Sequence, residues 1–233
     1  MVKVAIVTGA AQGIGRSISL RLAADGVDVA VNDLPQKQEA LGQLVKEIEA
    51  LGRRTIQVIA DVSKETEVRD MVNKVVETLG GLDIMVANAG VIIKAEPILE
   101  LSEDVFDETM AINCKGVLYC YKAAAAQMIK QGRGGRIIGA SSIFGLKGTS
   151  GNISYALSKF GVRAITQTAA LEWGQHNITV NAYAPGLINT EMSQFYIFHP
   201  CLTSRCLCSS FQAAAASHMP EVKKLQDQVT LHT

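Results

Sequence analysis

The feature that most constrains this chain is a regular alternation of short apolar runs with stretches of helical period. Residues 4–7 are apolar throughout and end at Thr8-Gly9, as a strand buried on both faces does. Helix-like sequence follows over 13–24, and a second strand over 27–33. Leu41, Leu44, Val45, Ile48 and Leu51 recur at helical spacing, and 55–60 reads as a third strand. Val68, Met71, Val72, Val75, Val76 and Leu79 mark the next amphipathic helix, ahead of a fourth strand over 84–87. A long helix is expected over 104–131 with Gly116 as its weak point. A fifth strand over 136–140, a helix over 153–175 and a sixth strand over 178–183 complete the pattern. Apolar strands separated by helices imply an α/β fold: a doubly wound parallel sheet in three layers. Its ligand site lies beyond the carboxyl ends of the strands.

Composition supports a globular reading and removes others. Of 233 residues, 48% are hydrophobic and 19% charged, enough to bury a sizeable core. The 22 basic and 22 acidic residues cancel, which leaves no electrostatic footprint for nucleic acid. No basic block borders an apolar face, and no apolar run approaches the roughly 18 residues of a membrane span. The chain reaches its glycine loop too soon for a signal peptide. The expectation is a soluble, cytoplasmic protein with no membrane partner. Cys114 and Cys120 fall in a helical pattern, while Cys201, Cys206 and Cys208 crowd the tail without paired C-x2-C spacing. No metal site is expected.

The loop from Thr8 to Gly15 follows the first strand and opens the first helix. Glycines at 9, 13 and 15 let the backbone turn sharply and approach a ligand closely. A helix N-terminus there offers N–H groups and a positive dipole end to a pyrophosphate. The spacing differs from G-x-G-x-x-G, and a plain strand-to-helix turn is the alternative. Asp33 closes the second strand, 18 residues past Gly15. A carboxylate there can accept from both hydroxyls of an adenosine ribose and would repel a 2′-phosphate, favouring NAD over NADP. It could equally be a turn aspartate, and Lys37 could soften the preference. Asp61, after the third strand, is at the edge to meet an adenine, or it caps the next helix.

Tyr155 and Lys159 stand four residues apart on one helix face. An ammonium beside a phenol favours the phenolate, which would let the tyrosine act as general acid or base near neutral pH. Alone, Y-x-x-x-K is more often a solvated face. Ser142 follows the fifth strand at the ligand edge, with Ser141 as its adjacent competitor for holding a substrate oxygen. Asn113, within an apolar helix, is a satisfied core amide, or it bends the helix, or it holds a water that relays protons from the lysine.

Taken together, Thr8 to Gly15, Asn88-Ala89-Gly90, Asn113, Ser142, Tyr155 with Lys159, and Pro185-Gly186 resemble the short-chain dehydrogenase/reductase family in kind and order. The resemblance covers about residues 1–194 and implies a Rossmann-type sheet. The serine-to-tyrosine gap of 13 matches the family's spacing and favours Ser142 over Ser141. Segments 159–163, 166–170 and 181–186 look most like acetoin or diacetyl reductases, also called 2,3-butanediol dehydrogenases. The resemblance implies Tyr155 as proton donor, Lys159 lowering its pKa and binding the nicotinamide ribose, Ser142 positioning the carbonyl and Asn113 anchoring the proton relay. It implies NAD contacts from Gly9, Gln12, Gly13, Ile14, Gly15, Asp33, Asp61 and Val62. It implies that Asn88, Ala89 and Gly90 hold the central sheet and line the cofactor cleft, and that Pro185, Gly186, Ile188 and Thr190 flank the nicotinamide. The partners implied are a small carbonyl or alcohol substrate and further copies of the chain, as a tetramer or a dimer.

The pattern stops near Ser193. Residues 195–233 form an atypical tail in which only 213–216 and 221–229 suggest helix. The family's substrate-covering segment and last strand are not readable there and are expected to be missing or replaced. That would leave the sixth strand's edge uncovered and the reaction centre wet, so weak turnover is expected. A nucleotide-binding protein without turnover, or a misspliced product, is the alternative.

Overall fold

In the computed structural model, which describes residues 2–190 and 192, every apolar run forms a strand. The elements are β1 (Val4–Thr8), α1 (Gly13–Ala24), β2 (Asp28–Asp33), α2 (Gln38–Ala50), β3 (Thr55–Ile59), α3 (Glu65–Leu79) and β4 (Ile84–Ala87). These are followed by α4 (Glu103–Met110), α5 (Gly116–Gln131), β5 (Gly135–Ala140), α6 (Ile153–Trp173) and β6 (Ile178–Tyr183). The six strands are parallel in the order β3-β2-β1-β4-β5-β6. The winding direction reverses between β1 and β4, so a crevice opens at their carboxyl ends. The tail beyond Met192, with its three cysteines, its two expected helical stretches and the expected loss of the lid and last strand, lies outside the described residues.

Two apolar cores hold the three layers. On one face, Val68, Met71 and Val75 of α3 and Tyr121, Ala124 and Met128 of α5 pack with Ile6, Met85 and Ile137 of the sheet. On the other, Leu41, Leu44 and Ile48 of α2 cover Ala5, Val7, Val29 and Val31. Strand residues alternate between these two cores, which is why both parities of the strands are apolar. β6 is an edge strand among the described residues. Its Ile178 and Val180 are buried, while Thr179, Asn181 and Ala182 are exposed.

The long helix expected over 104–131 departs from the pattern. A π-helical turn, Ala111–Lys115, separates α4 from α5, and Gly116 marks the restart, not the break. Asn113 lies in this widened turn and its amide grips the Val91 backbone in both directions, at 2.8 Å each. That tertiary bond accounts for the extra residue in the turn, and such bulges occur often at functional sites. No described helix is long and apolar enough to cross a membrane.

The start of β2 is fastened by a buried carboxylate. Asp28 accepts Arg53 at 2.5 Å, the Arg54 guanidinium at 2.8 Å and the Arg54 N–H at 3.1 Å. Arg54 also donates to the Leu79 carbonyl, so one cluster ties β2, β3 and the end of α3. Burial alone would push the Asp28 carboxyl up, but the two arginines and the N–H hold it below its ordinary value. Asp28→Ala should therefore destabilise the fold by about 2–4 kcal/mol in urea unfolding. The contribution is present at neutral pH and is lost as pH falls through the lowered carboxyl value. A change within error at pH 7 would contradict this account.

Candidate active site

The site is built where β1 and β4 diverge. Gly9 has φ +63°, and a Cβ there would lie 2.9 Å from the Ala89 Cα. A Cβ on Gly15 would lie 2.2 Å from the Gly9 carbonyl oxygen, so the loop crosses its own helix at a distance only glycine allows. Gln12 flanks the start of α1 and its side chain makes no capping bond there. A helix start without that cap offers first-turn N–H groups to water or a ligand. Gly13 faces Thr190, whose Cγ2 would be 3.2 Å from a Cβ at position 13. Two distant segments of the expected cofactor cleft are thereby brought together.

Asp33 stands beside this loop. One carboxylate oxygen accepts the Ala11 N–H and the other the Leu34 N–H, each at 3.0 Å. Lys37 donates to the Gln12 side chain, which links the entry of α2 to the glycine loop. Asp61 accepts both the N–H and the hydroxyl of Ser63, so it orders the turn ahead of α3. Val62 is buried against Gly116.

Across the crevice, Asn88 donates from Nδ2 to the carbonyls of Thr8 and Gly9, at 2.8 and 3.1 Å. Thr8 Oγ1 accepts the N–H groups of Asn88 and Ala89. Tyr183 at the end of β6 donates its hydroxyl to Asn88 Oδ1 at 2.6 Å. The Tyr183 backbone carbonyl accepts the Ser141 N–H, and Pro185 accepts that of Ile143. Tyr183 has no role in the sequence reading. Its signal is only a phenol as the last residue of a half-exposed strand, and the bond to a residue 95 positions away is invisible there.

The remaining residues gather at the ends of β4 and β5. A Cβ on Gly90 would sit 3.1 Å from Asn113 Oδ1 and 3.2 Å from Lys159 Nζ, which places both groups over the same backbone. Lys159 is buried and donates to the Ala140 carbonyl at 2.9 Å. Its Nζ is 5.4 Å from the Tyr155 ring centroid. The two serines separate: Ser141 donates to the Lys159 carbonyl at 3.1 Å, while Ser142 accepts the Phe144 N–H at 3.2 Å. The Phe144 ring packs edge-on against Tyr155.

Burial pushes the Tyr155 phenol above its ordinary value, and a hydrogen bond with Ser142 opposes part of that rise. The expected lowering by Lys159 is therefore not seen. The ammonium stands over the ring and turns to a carbonyl, while desolvation dominates the phenol. Burial lowers Lys159 itself to about 8, with Cys114 opposing it. Among the described residues no group of three or more His, Cys, Asp or Glu could hold a metal ion.

Residues 3–197 match the short chain dehydrogenase family. The chain belongs to that family. It is 54% identical over 190 residues to a short-chain dehydrogenase/reductase of Armillaria gallica, covering 82% of this chain and 72% of that one. It is 42% identical over 192 residues to the L-2,3-butanediol dehydrogenase of Corynebacterium glutamicum, covering 82% and 74%. A 3-oxoacyl-[acyl-carrier-protein] reductase of Staphylococcus epidermidis is also 42% identical, over 193 residues, covering 83% and 78%. Among solved structures, NAD+-bound xylitol dehydrogenase superposes with a TM-score of 0.76 at 36% identity, covering 79% and 70%. Acetoin dehydrogenase from Salmonella typhimurium gives 0.78 at 32%, covering 82% and 75%. The chain is thus an oxidoreductase of a family that uses nicotinamide cofactors, with a Rossmann-like parallel sheet.

The buried lysine makes a stability prediction with a definite sign. Its fall from 10.5 to about 8 means the folded protein binds fewer protons than the unfolded chain between those values. Stability from this group therefore rises with pH across that window and is at its lowest below pH 8. Lys159→Met should be more stable than the parent at pH 7 by up to about 3 kcal/mol, at about 1.4 kcal/mol per tenfold change. The difference should close above pH 10.5, where the lysine is neutral in both states. Paired thermal melts check this, and a less stable methionine variant at pH 7 would contradict it.

Proposed function

We propose that this short-chain dehydrogenase is an NAD(H)-dependent enzyme that interconverts a small ketone or diketone with its secondary alcohol, of the diacetyl, acetoin and butanediol kind. The observation that carries the reading is the Tyr155 phenol beside Ser142, one helical turn from the buried Lys159 ammonium. The glycine loop, the uncapped start of α1 and the Asp33 carboxylate fit a dinucleotide in shape and charge. Gly9, Gln12, Gly13, Ile14 and Gly15 would hold the pyrophosphate side, and Asp33, Asp61 and Val62 the adenosine side. Asn88, Ala89, Gly90, Pro185, Gly186, Ile188 and Thr190 would line the nicotinamide side, with Tyr155 and Lys159 at its ribose. The nicotinamide supplies or accepts the hydride.

The chain's own residues handle the proton. Burial keeps the Tyr155 phenol protonated at neutral pH, the form a donor to a carbonyl oxygen needs. Ser142, held by the Phe144 N–H, offers its hydroxyl to that oxygen. Lys159, whose ammonium stands over the Tyr155 ring and is held by the Ala140 carbonyl, would bind the nicotinamide ribose beside that phenol. Asn113 fixes the Val91 backbone and anchors the path that returns a proton to Tyr155. Asp33 favours NAD because a carboxylate repels a 2′-phosphate. The small-ketone substrate is supported by the likeness to the butanediol and acetoin dehydrogenases. Leu118, Ile129, Leu157, Phe160 and Leu171 are exposed apolar side chains on α5 and α6, and they support self-association through these helices.

NADH consumption with diacetyl, acetoin or an acetoacetyl thioester tests the reading. Diacetyl should be reduced fastest, and Tyr155→Phe should lower that rate by about 10²–10⁴-fold. Preferred reduction of the thioester would move the substrate toward that of the acyl-carrier-protein reductase. No turnover in the presence of bound NADH would leave a nucleotide-binding protein.

A further inference from the structure

We infer that Tyr183 is a positioning residue that sets the cofactor loop through Asn88; as a statement about cofactor affinity this rests on the function proposed above. The geometry is a relay of hydrogen bonds across the sheet. Tyr183 ends β6, and β5 lies between β6 and β4. Its phenol crosses that strand to donate to Asn88 Oδ1 at 2.6 Å. An amide has one acceptor end and one donor end. With Oδ1 committed to the phenol, Nδ2 is directed to the carbonyls of Thr8 and Gly9. Gly9 in turn stacks on Ala89 and under Gly15, where a Cβ would clash. The hydroxyl at the sheet's edge therefore fixes the orientation of the amide that spaces the glycine loop from β4.

The phenol and the backbone of Tyr183 act on different halves of the site. The backbone carbonyl takes the Ser141 N–H and so aligns the serine strand end. The hydroxyl is the part of Tyr183 that bonds to the cofactor side. Burial pushes this phenol up, with the neighbouring Tyr155 charge adding to the rise, so it stays a donor throughout the working pH range. Removing the oxygen takes from Asn88 Oδ1 its donor among the described residues and leaves the amide held through Nδ2 alone, while the serine side keeps its backbone bond.

Tyr183→Phe separates this from a general packing role. The variant should weaken NADH binding by up to roughly tenfold, the cost of unpairing one half-buried acceptor. At saturating NADH its diacetyl turnover should fall less than its NADH affinity does, so the larger effect falls on KM for the cofactor. A second readout needs no cofactor. In the protein alone, amide hydrogen exchange of the 8–15 segment should speed up roughly tenfold. Asn88→Asp keeps the acceptor but removes the donors to Thr8 and Gly9, so it should weaken NADH binding at least as much. In that background Tyr183→Phe should add little. Unchanged exchange in the 8–15 segment of Tyr183→Phe would overturn the inference, as would full additivity with Asn88→Asp. A parent that neither binds NADH nor turns over overturns the proposed function instead, and the exchange measurement still decides the role of Tyr183. A Tyr183→Phe protein that does not fold also counts against the inference, which assigns the hydroxyl to the loop and not to the core.

Discussion

The structure depends on one crossing, the Asn88 amide between the ends of β1 and β4. A parallel sheet that reverses its winding must open a crevice at the reversal, and that crevice needs polar walls that do not collapse. Asn88 and Thr8 supply them by exchanging side-chain and backbone hydrogen bonds over 2.8–3.1 Å. The glycines at 9 and 15 follow from that spacing, because the loop passes too close to Ala89 and to its own helix for any side chain. The start of α1 is then presented at the crevice with its end uncapped.

Burial makes the second half of the site chemically unusual. A lysine with 3% exposure and a carbonyl partner is an expensive group for a core, and its lowered value near 8 records that cost. Its neighbours show the same logic: Gly90 leaves room for both Asn113 and Lys159, and Ser158 receives a bond from Asn113. Groups held this way, against stability and with shifted ionisation, mark a working site more often than a structural one. Asp28 offers the contrast. It too is buried, but two arginines satisfy it far from the crevice, and it serves only to fasten strands.

Most of the fold was legible because it rests on local periodicity. Strands buried on both faces must be apolar, and α2 and α3 announce themselves through Leu41, Leu44 and Ile48 and through Val68, Met71 and Val75. The glycine loop was legible for the same reason, as spacing. What the sequence could not show arises between distant residues. A bend at Asn113 was among the sequence's alternatives, but helical period put the weak point at Gly116, and the bond to Val91 that accompanies the π turn at 111–115 is tertiary. The spacing to Tyr155 already favoured Ser142 over Ser141, but the bond that occupies Ser141, its hydroxyl on the Lys159 carbonyl, is visible only in the structure. The relation of Lys159 to Tyr155 was misjudged from spacing, since four residues apart fixes a shared face but not which atom the ammonium meets.

The central claim is that the crevice between β1 and β4 is a dinucleotide site of NAD type, with Asp33 at the adenosine end. Fluorescence titration of the purified chain with NADH and with NADPH, at one salt concentration, tests it most directly. The account predicts saturable NADH binding at least about tenfold tighter than NADPH, a gap of about 1.4 kcal/mol. Tighter binding of NADPH, or no saturable binding of either, would contradict it.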